Sequence, residues 1–126
     1  YEEALEYFDD YLASSDRSQH LEALLGTGHA AYRLEQYPRA LLFYRKAIQV
    51  NAGSVNAHVG LANTLCSQHN YRDAARAYDL ALRLDSTSQQ AHLGRAIVCF
   101  RLGEFKRSVR HFQQAGDVLD PKNRDH

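Results

Sequence analysis

The stretch AHVGLANTL, Ala57–Leu65, returns 34 residues later as AHLGRAIVC, Ala91–Cys99. Such a period constrains a fold more tightly than composition does, because each unit must bury its apolar face against a copy of itself. The interval holds along the chain. Ala23, Ala57 and Ala91 fall in one column, Gly26, Gly60 and Gly94 in another, and the small residues Gly28, Ala62 and Ala96 in a third. Tyr1, Tyr37, Tyr71 and Phe105 form an aromatic column, as do Phe8, Tyr44, Tyr78 and Phe112. Ala4, Ala40, Ala74 and Ser108 align, and so do Ala47, Ala81 and Ala115, with Tyr11 as the exception. The columns predict three copies over 21–54, 55–88 and 89–122. Residues 1–20 carry the second half of another copy and a linker, and 1–126 reads as a single domain.

Each copy reads as two helices. In LGTGHAAYRL, LANTLCSQ and GRAIVCFRL the apolar and small residues recur at three and four, the spacing of one helix face. In the second halves Ala40, Leu41, Tyr44, Ala47 and Ile48 form one stripe, and Ala74, Ala77, Tyr78, Ala81 and Leu82 the next. Short polar pairs separate the halves: Glu35-Gln36, His69-Asn70 and Gly103-Glu104. Cap and turn formers, NAGS, DSTS and DPK, separate the copies. Pro38 falls in an opening turn, where its missing N–H costs nothing, and Pro121 predicts the stop of the last helix. Helices joined by so short a loop pack antiparallel, and the small columns let their backbones approach. One pair buries only one face, so pairs stack into an array.

These columns resemble the tetratricopeptide repeat. Its pattern sets a small residue in the first helix, then Ala-x-x-x-aromatic and a further Ala in the second. Here those are Gly28, Ala40, Tyr44 and Ala47; Ala62, Ala74, Tyr78 and Ala81; and Ala96, Ser108, Phe112 and Ala115. The first-helix Trp is replaced by Leu24, His58 and His92, and the closing Pro survives only as Pro121, displaced by one residue. The resemblance implies an all-α fold, a right-handed superhelical solenoid of antiparallel helix pairs. It further implies a protein–protein interaction scaffold or adaptor that holds a peptide or partner helix in a groove lined by the first helices.

Helical geometry and the family's pattern nominate the groove residues. In the first full copy they are Leu25, His29, Tyr32 and Arg33, with Glu22; in the second, Asn56, Val59 and Asn63, with Cys66 and Ser67. In the third they are Gln90, Leu93, Ile97, Phe100 and Arg101. The strip Leu25–Val59–Leu93 supplies apolar anchors, and the polar groups flanking it suit a peptide. The glycine column borders this face, where absent side chains would let a ligand backbone approach. Some family members grip a C-terminal carboxylate with two Lys, an Arg and two Asn. The corresponding places here hold Leu25, His29, Gly60, Gln90 and Gly94, so a carboxylate clamp is not expected.

Net charge is zero, with 15 basic and 15 acidic residues, which argues against a nucleic-acid or membrane surface. No nucleophile–base pair, metal-ligand spacing or phosphate-binding loop points to an enzyme, a metal or a cofactor. Cys66 and Cys99 form no CxxC and read as reduced thiols of a cytoplasmic or nuclear protein. His58 and His92 stand one repeat apart, too far for shared ligation, and read as packing residues. Arg95 occupies the place of Leu61 and calls for a snorkelling path or an acid such as Asp79 or Asp85. The stretch YEEALEYFDDYLA, 1–13, predicts a second helix without its mate, and no capping helix follows Phe105–Leu119. An acidic first stretch and basic residues Arg101, Lys106, Arg107 and Arg110 at the far end suggest an alternative, a homo-oligomer stacked head to tail through uncapped ends. A further alternative is the substrate-recruiting arm of an enzyme whose catalytic domain lies elsewhere.

Overall fold

The computed structural model describes residues 17–119, and all regular structure among them is α-helical. The helices are α1 (Arg17–Arg33), α2 (Tyr37–Val50), α3 (Val55–Ser67), α4 (Tyr71–Leu84), α5 (Gln89–Arg101) and α6 (Phe105–Leu119). The helix expected over 1–13 and the stop at Pro121 lie outside the described residues. α3 and α5 begin at the first position of the period, whereas α1 starts at Arg17, ahead of position 21.

The two kinds of joint are built differently. Within a pair, the turns put Glu35, His69 and Gly103 at φ of 60°, 65° and 81°. The next amide then reaches back five residues: Gln36 N–H to Ala31 O, Asn70 N–H to Leu65 O and Glu104 N–H to Cys99 O, at 2.9, 2.9 and 2.7 Å. This left-handed cap satisfies the last carbonyls of the first helix. Between pairs, Ser54 and Ser88 cap α3 and α5 by accepting from the Ala57 and Ala91 amides.

His58 and His92 replace the missing first-helix aromatic with more than bulk. Each is buried, and each Nε2–H donates to a carbonyl of the preceding joint, Ala52 O at 2.9 Å and Ser86 O at 2.7 Å. The repeats therefore use an imidazole to tie the inter-pair loop to the next helix.

The curvature follows from which helices touch. α1 packs on α2, α3 on α4 and α5 on α6, and α2 meets α3 as α4 meets α5. The first helices also touch in sequence, α1 with α3 and α3 with α5, while the second helices do not. A stack whose first helices lie closer together than its second helices bends toward the first, so α1, α3 and α5 form the concave wall. The core lies between the layers, where Ala40, Ala47, Ala57, Ala62, Ala74, Ala81, Ala91 and Ala96 are fully buried. Ser108 stands in a column of alanines, and its hydroxyl donates to Ala96 O at 2.8 Å, so the buried oxygen is satisfied.

On the side of α5 away from the groove, buried Arg95 donates from Nε to Asp79 at 3.0 Å and from Nη1 to Cys99 Sγ at 3.2 Å. Asp79 is thus its acid; Asp85 instead accepts from the Thr87 amide and hydroxyl. Cys66 and Cys99 are both free thiols. His92 has a neighbour that the period does not predict: its Nδ1 lies 3.4 Å from Nδ1 of His111 on α6. Burial, then the charges of Arg95 and His92, hold His111 below the usual imidazole value, with Arg107 acting in the same sense and Asp79 opposing. The unfolded chain therefore takes up this proton more readily than the folded one. Stability is expected to be complete above roughly pH 6.5 and to fall as the pH drops below it. Thermal melts from pH 8 to 5 check this, with a shallower acid decline in His111→Gln.

Candidate functional site

The concave wall carries two adjoining depressions. One, of about 410 Å³, lies between α1 and α3 and is lined by Leu25, Gly26, His29, Tyr44, Asn56, Val59, Gly60, Asn63 and Gln90. The other, of about 480 Å³, lies between α3 and α5. Its lining is Tyr32, Asn63, Cys66, Ser67, Gln90, Leu93, Gly94, Ile97 and Arg101, with His69, Tyr71 and Tyr78. Asn63 and Gln90 border both, which makes the two depressions one groove.

Most of the residues nominated from the sequence stand along it. Glu22, Arg33 and Phe100 line neither depression. Arg33 ends α1 and is exposed, and the Phe100 ring meets Phe105 edge-on at 5.4 Å between centroids, at the α5–α6 turn. Val59 is only 3% exposed, so the strip it was expected to form with Leu25 and Leu93 is interrupted by a core residue.

The glycine column borders the groove, but its purpose differs from the expected close approach of a ligand. A Cβ on Gly60 would lie 2.2 Å from the Tyr44 ring, and one on Gly94 would lie 2.2 Å from the Tyr78 ring. The glycines make room for a tyrosine from the second helix of the preceding pair. Tyr44 and Tyr78 thereby thread their phenols toward the groove, where the nominations had placed only first-helix residues. The matching periods of the tyrosine and glycine columns were the signal, since a buried phenol needs a polar partner. The Tyr78 hydroxyl finds one in Asn63 Oδ1. Burial, with the neighbouring Cys66 and Tyr32, pushes the Tyr78 phenol far up, so it stays protonated and donates.

Other polar groups of the larger depression are also paired. Ser67 Oγ donates to the Tyr32 hydroxyl at 3.2 Å, and the Tyr71 hydroxyl shares a 2.8 Å hydrogen bond with His69 Nδ1. His69 and Tyr71 come from the α3–α4 turn and the start of α4, which a first-helix pattern does not reach. Burial raises the Cys66 thiol, against the opposing effect of Arg101, so the thiol is neutral and unreactive at physiological pH. Among the described residues, no acidic one lines either depression. Among the described residues, no group of three His, Cys, Asp or Glu is placed to hold a metal ion. No helix there is long and apolar enough to cross a membrane.

The "Tetratricopeptide repeat" family model matches residues 1–55 and 59–123. Among curated proteins, DnaJ homolog subfamily C member 7 of Mus musculus is 28% identical over 90% of this chain and 23% of its own length. Hsp70-Hsp90 organizing protein 3 of Arabidopsis thaliana is 23% identical over 98% of this chain and 20% of its own. The chain thus spans about a fifth of the length of these relatives. Among solved structures, the second repeat domain of Spaghetti (RPAP3), bound to the HSP90 peptide SRMEEVD, superposes with a TM-score of 0.77 at 18% identity. That match covers 81% of this chain and 94% of the other. The Arabidopsis OM64 domain gives 0.78 at 24% identity, covering 85% and 88%. At these identities the likeness shows the fold: a solenoid of helix pairs.

Proposed function

Since the chain belongs to the tetratricopeptide-repeat family, we propose that it is a protein-interaction module, a scaffold or adaptor segment that holds a peptide or partner helix along the α1–α3–α5 wall. The observation that carries this reading is the continuous groove through Asn63 and Gln90, with half-buried Leu25 and Leu93 as anchors on either side. Anchors of this kind give affinity, and the unspent amides around them give orientation. The reading treats 21–54, 55–88 and 89–122 as its repeats and places the partner inside the cell. Spaghetti (RPAP3) takes an HSP90 peptide in the same fold, which supports a peptide as the occupant. The groove residues are those nominated from the sequence without Glu22, Arg33 and Phe100, and with Tyr44, His69, Tyr71 and Tyr78 added.

The test is a pull-down or peptide array with the chain and its Leu93→Glu variant. A charge set into the anchor site is expected to weaken capture at least roughly tenfold, since an unpaired carboxylate is then buried under the ligand. Capture equal to that of the parent chain sinks the groove reading.

Self-association is a second reading, favoured by α6. Phe112 continues the series of Tyr44 and Tyr78 yet is 45% exposed, beside exposed Phe105 and Val109. Gly26 continues the series of Gly60 and Gly94, and among the described residues nothing lies within 4 Å of a Cβ there. The exposed apolar face of α6, with Phe112, Phe105 and Val109, is the surface a second copy would cover. Light scattering is expected to show association that Phe112→Glu abolishes; a monomer at high concentration excludes it.

A further inference from the structure

Resting on the groove reading, we infer that the occupant is an internal, extended segment of a partner chain carrying an apolar residue and, two places on, an Asp or Glu that meets Arg101.

Charge makes the first part of the case. Among the described residues, Arg101 is the only Lys or Arg that lines either depression, and no Asp or Glu lines them. Among the described residues no hydrogen bond or ion pair engages its guanidinium, unlike Arg95, Arg76 and Arg107, which each have a carboxylate partner. An exposed fork of donors at the end of an otherwise neutral groove selects a carboxylate and repels a cation.

Spacing makes the second part. Leu93, Ile97 and Arg101 follow one another at four residues along α5, so they stand in one row about 6 Å apart. Ile97 is 45% exposed and faces the depression without a cover. An extended chain advances about 3.3 Å per residue and shows every second side chain to the same side. Two residues of such a chain span the step from Ile97 to Arg101. The segment therefore reads apolar-x-acid, with the apolar side chain on Leu93 and Ile97. Asn63 faces it from α3: its Oδ1 is taken by Tyr78, which leaves the amide NH₂ to donate to a peptide carbonyl.

The third part separates an internal segment from a chain end. A terminal carboxylate beside an acidic side chain brings two anions, and the groove answers with one guanidinium. The places of the two Lys and the Arg in the carboxylate-gripping pattern hold Leu25, Gln90 and Gly94.

The experiment is selection from a random nonapeptide library, acetylated and amidated at its ends, against the full chain and its variants. The parent chain is expected to enrich apolar-x-Asp/Glu. The exposed Arg101→Gln variant is expected to lose the acid preference, to keep the apolar one, and to bind the selected peptides about tenfold more weakly. Arg101→Glu is expected to select Lys or Arg at that place. An acid preference that survives in Arg101→Gln, or enrichment that appears only in a library with free C-termini, overturns the inference and leaves the groove reading standing. Enrichment indifferent to Leu93→Glu, or none at all, overturns both.

Discussion

Gly94→Ala is expected to destabilise the array by about 2 kcal/mol, the cost of forcing an extra methyl into a filled interior. At Gly26, the same position of the period, helix propensity alone favours Ala by up to about 1 kcal/mol. Both residues sit in helices at one position of the period, so helix propensity favours Ala equally at each. The difference is the ring. The added Cβ at Gly94 would fall 2.2 Å from Tyr78 Cζ, and the Tyr78 ring is 2% exposed with its hydroxyl held by Asn63, so it cannot yield without losing that hydrogen bond. At Gly26 the methyl meets nothing within 4 Å among the described residues. Urea unfolding followed by far-ultraviolet circular dichroism reads both. In a double-mutant cycle, Gly94→Ala on a Tyr78→Leu background is expected to cost much less than on the parent, because the clashing ring is gone. Equal costs in both backgrounds would refute the seating of Tyr78 on Gly94.

Asp79→Ala is expected to cost about 2 kcal/mol, and Arg95→Leu less than about 1 kcal/mol, although each deletes the same ion pair. The asymmetry comes from burial. The Arg95 side chain is 9% exposed and Asp79 is 48% exposed. Removing the acid leaves a guanidinium in the core with only the Cys99 sulfur as acceptor. Removing the arginine leaves a carboxylate that water can solvate, and Leu is what the preceding copy carries in this column, at position 61. Chemical denaturation of the two single variants and the double variant measures it. Arg95→Leu/Asp79→Ala is expected to lie close to Arg95→Leu alone; a double variant as unstable as Asp79→Ala alone would place the cost elsewhere.

The fold was legible because the period multiplies weak local signals. No single heptad of this chain specifies a hairpin of helices. Three aligned sets of small and aromatic residues do, since each column must solve the same packing problem. The groove was legible only along the first helices, where that pattern nominates positions. Helical spacing gives a direction but not a depth: Val59 lines the groove yet sinks to its floor in the core, and the Phe100 ring is drawn off by Phe105. The glycines were visible, yet what they face belongs to another helix, and a single column cannot show its partner. The same holds for His92 and His111, nineteen positions apart and outside the period. Arg95 was narrowed to two acids, and the choice between them fell to Thr87, which occupies Asp85.

The Tyr78 phenol has a mechanical implication. It is rooted in α4, on the outer layer, and its hydroxyl ends on Asn63, on the inner one. A guest that drew the Asn63 side chain toward itself would compete with that phenol and pull on the back of the molecule. Occupancy inside would then be felt outside through one aromatic lever, with no change in how the helices are wound.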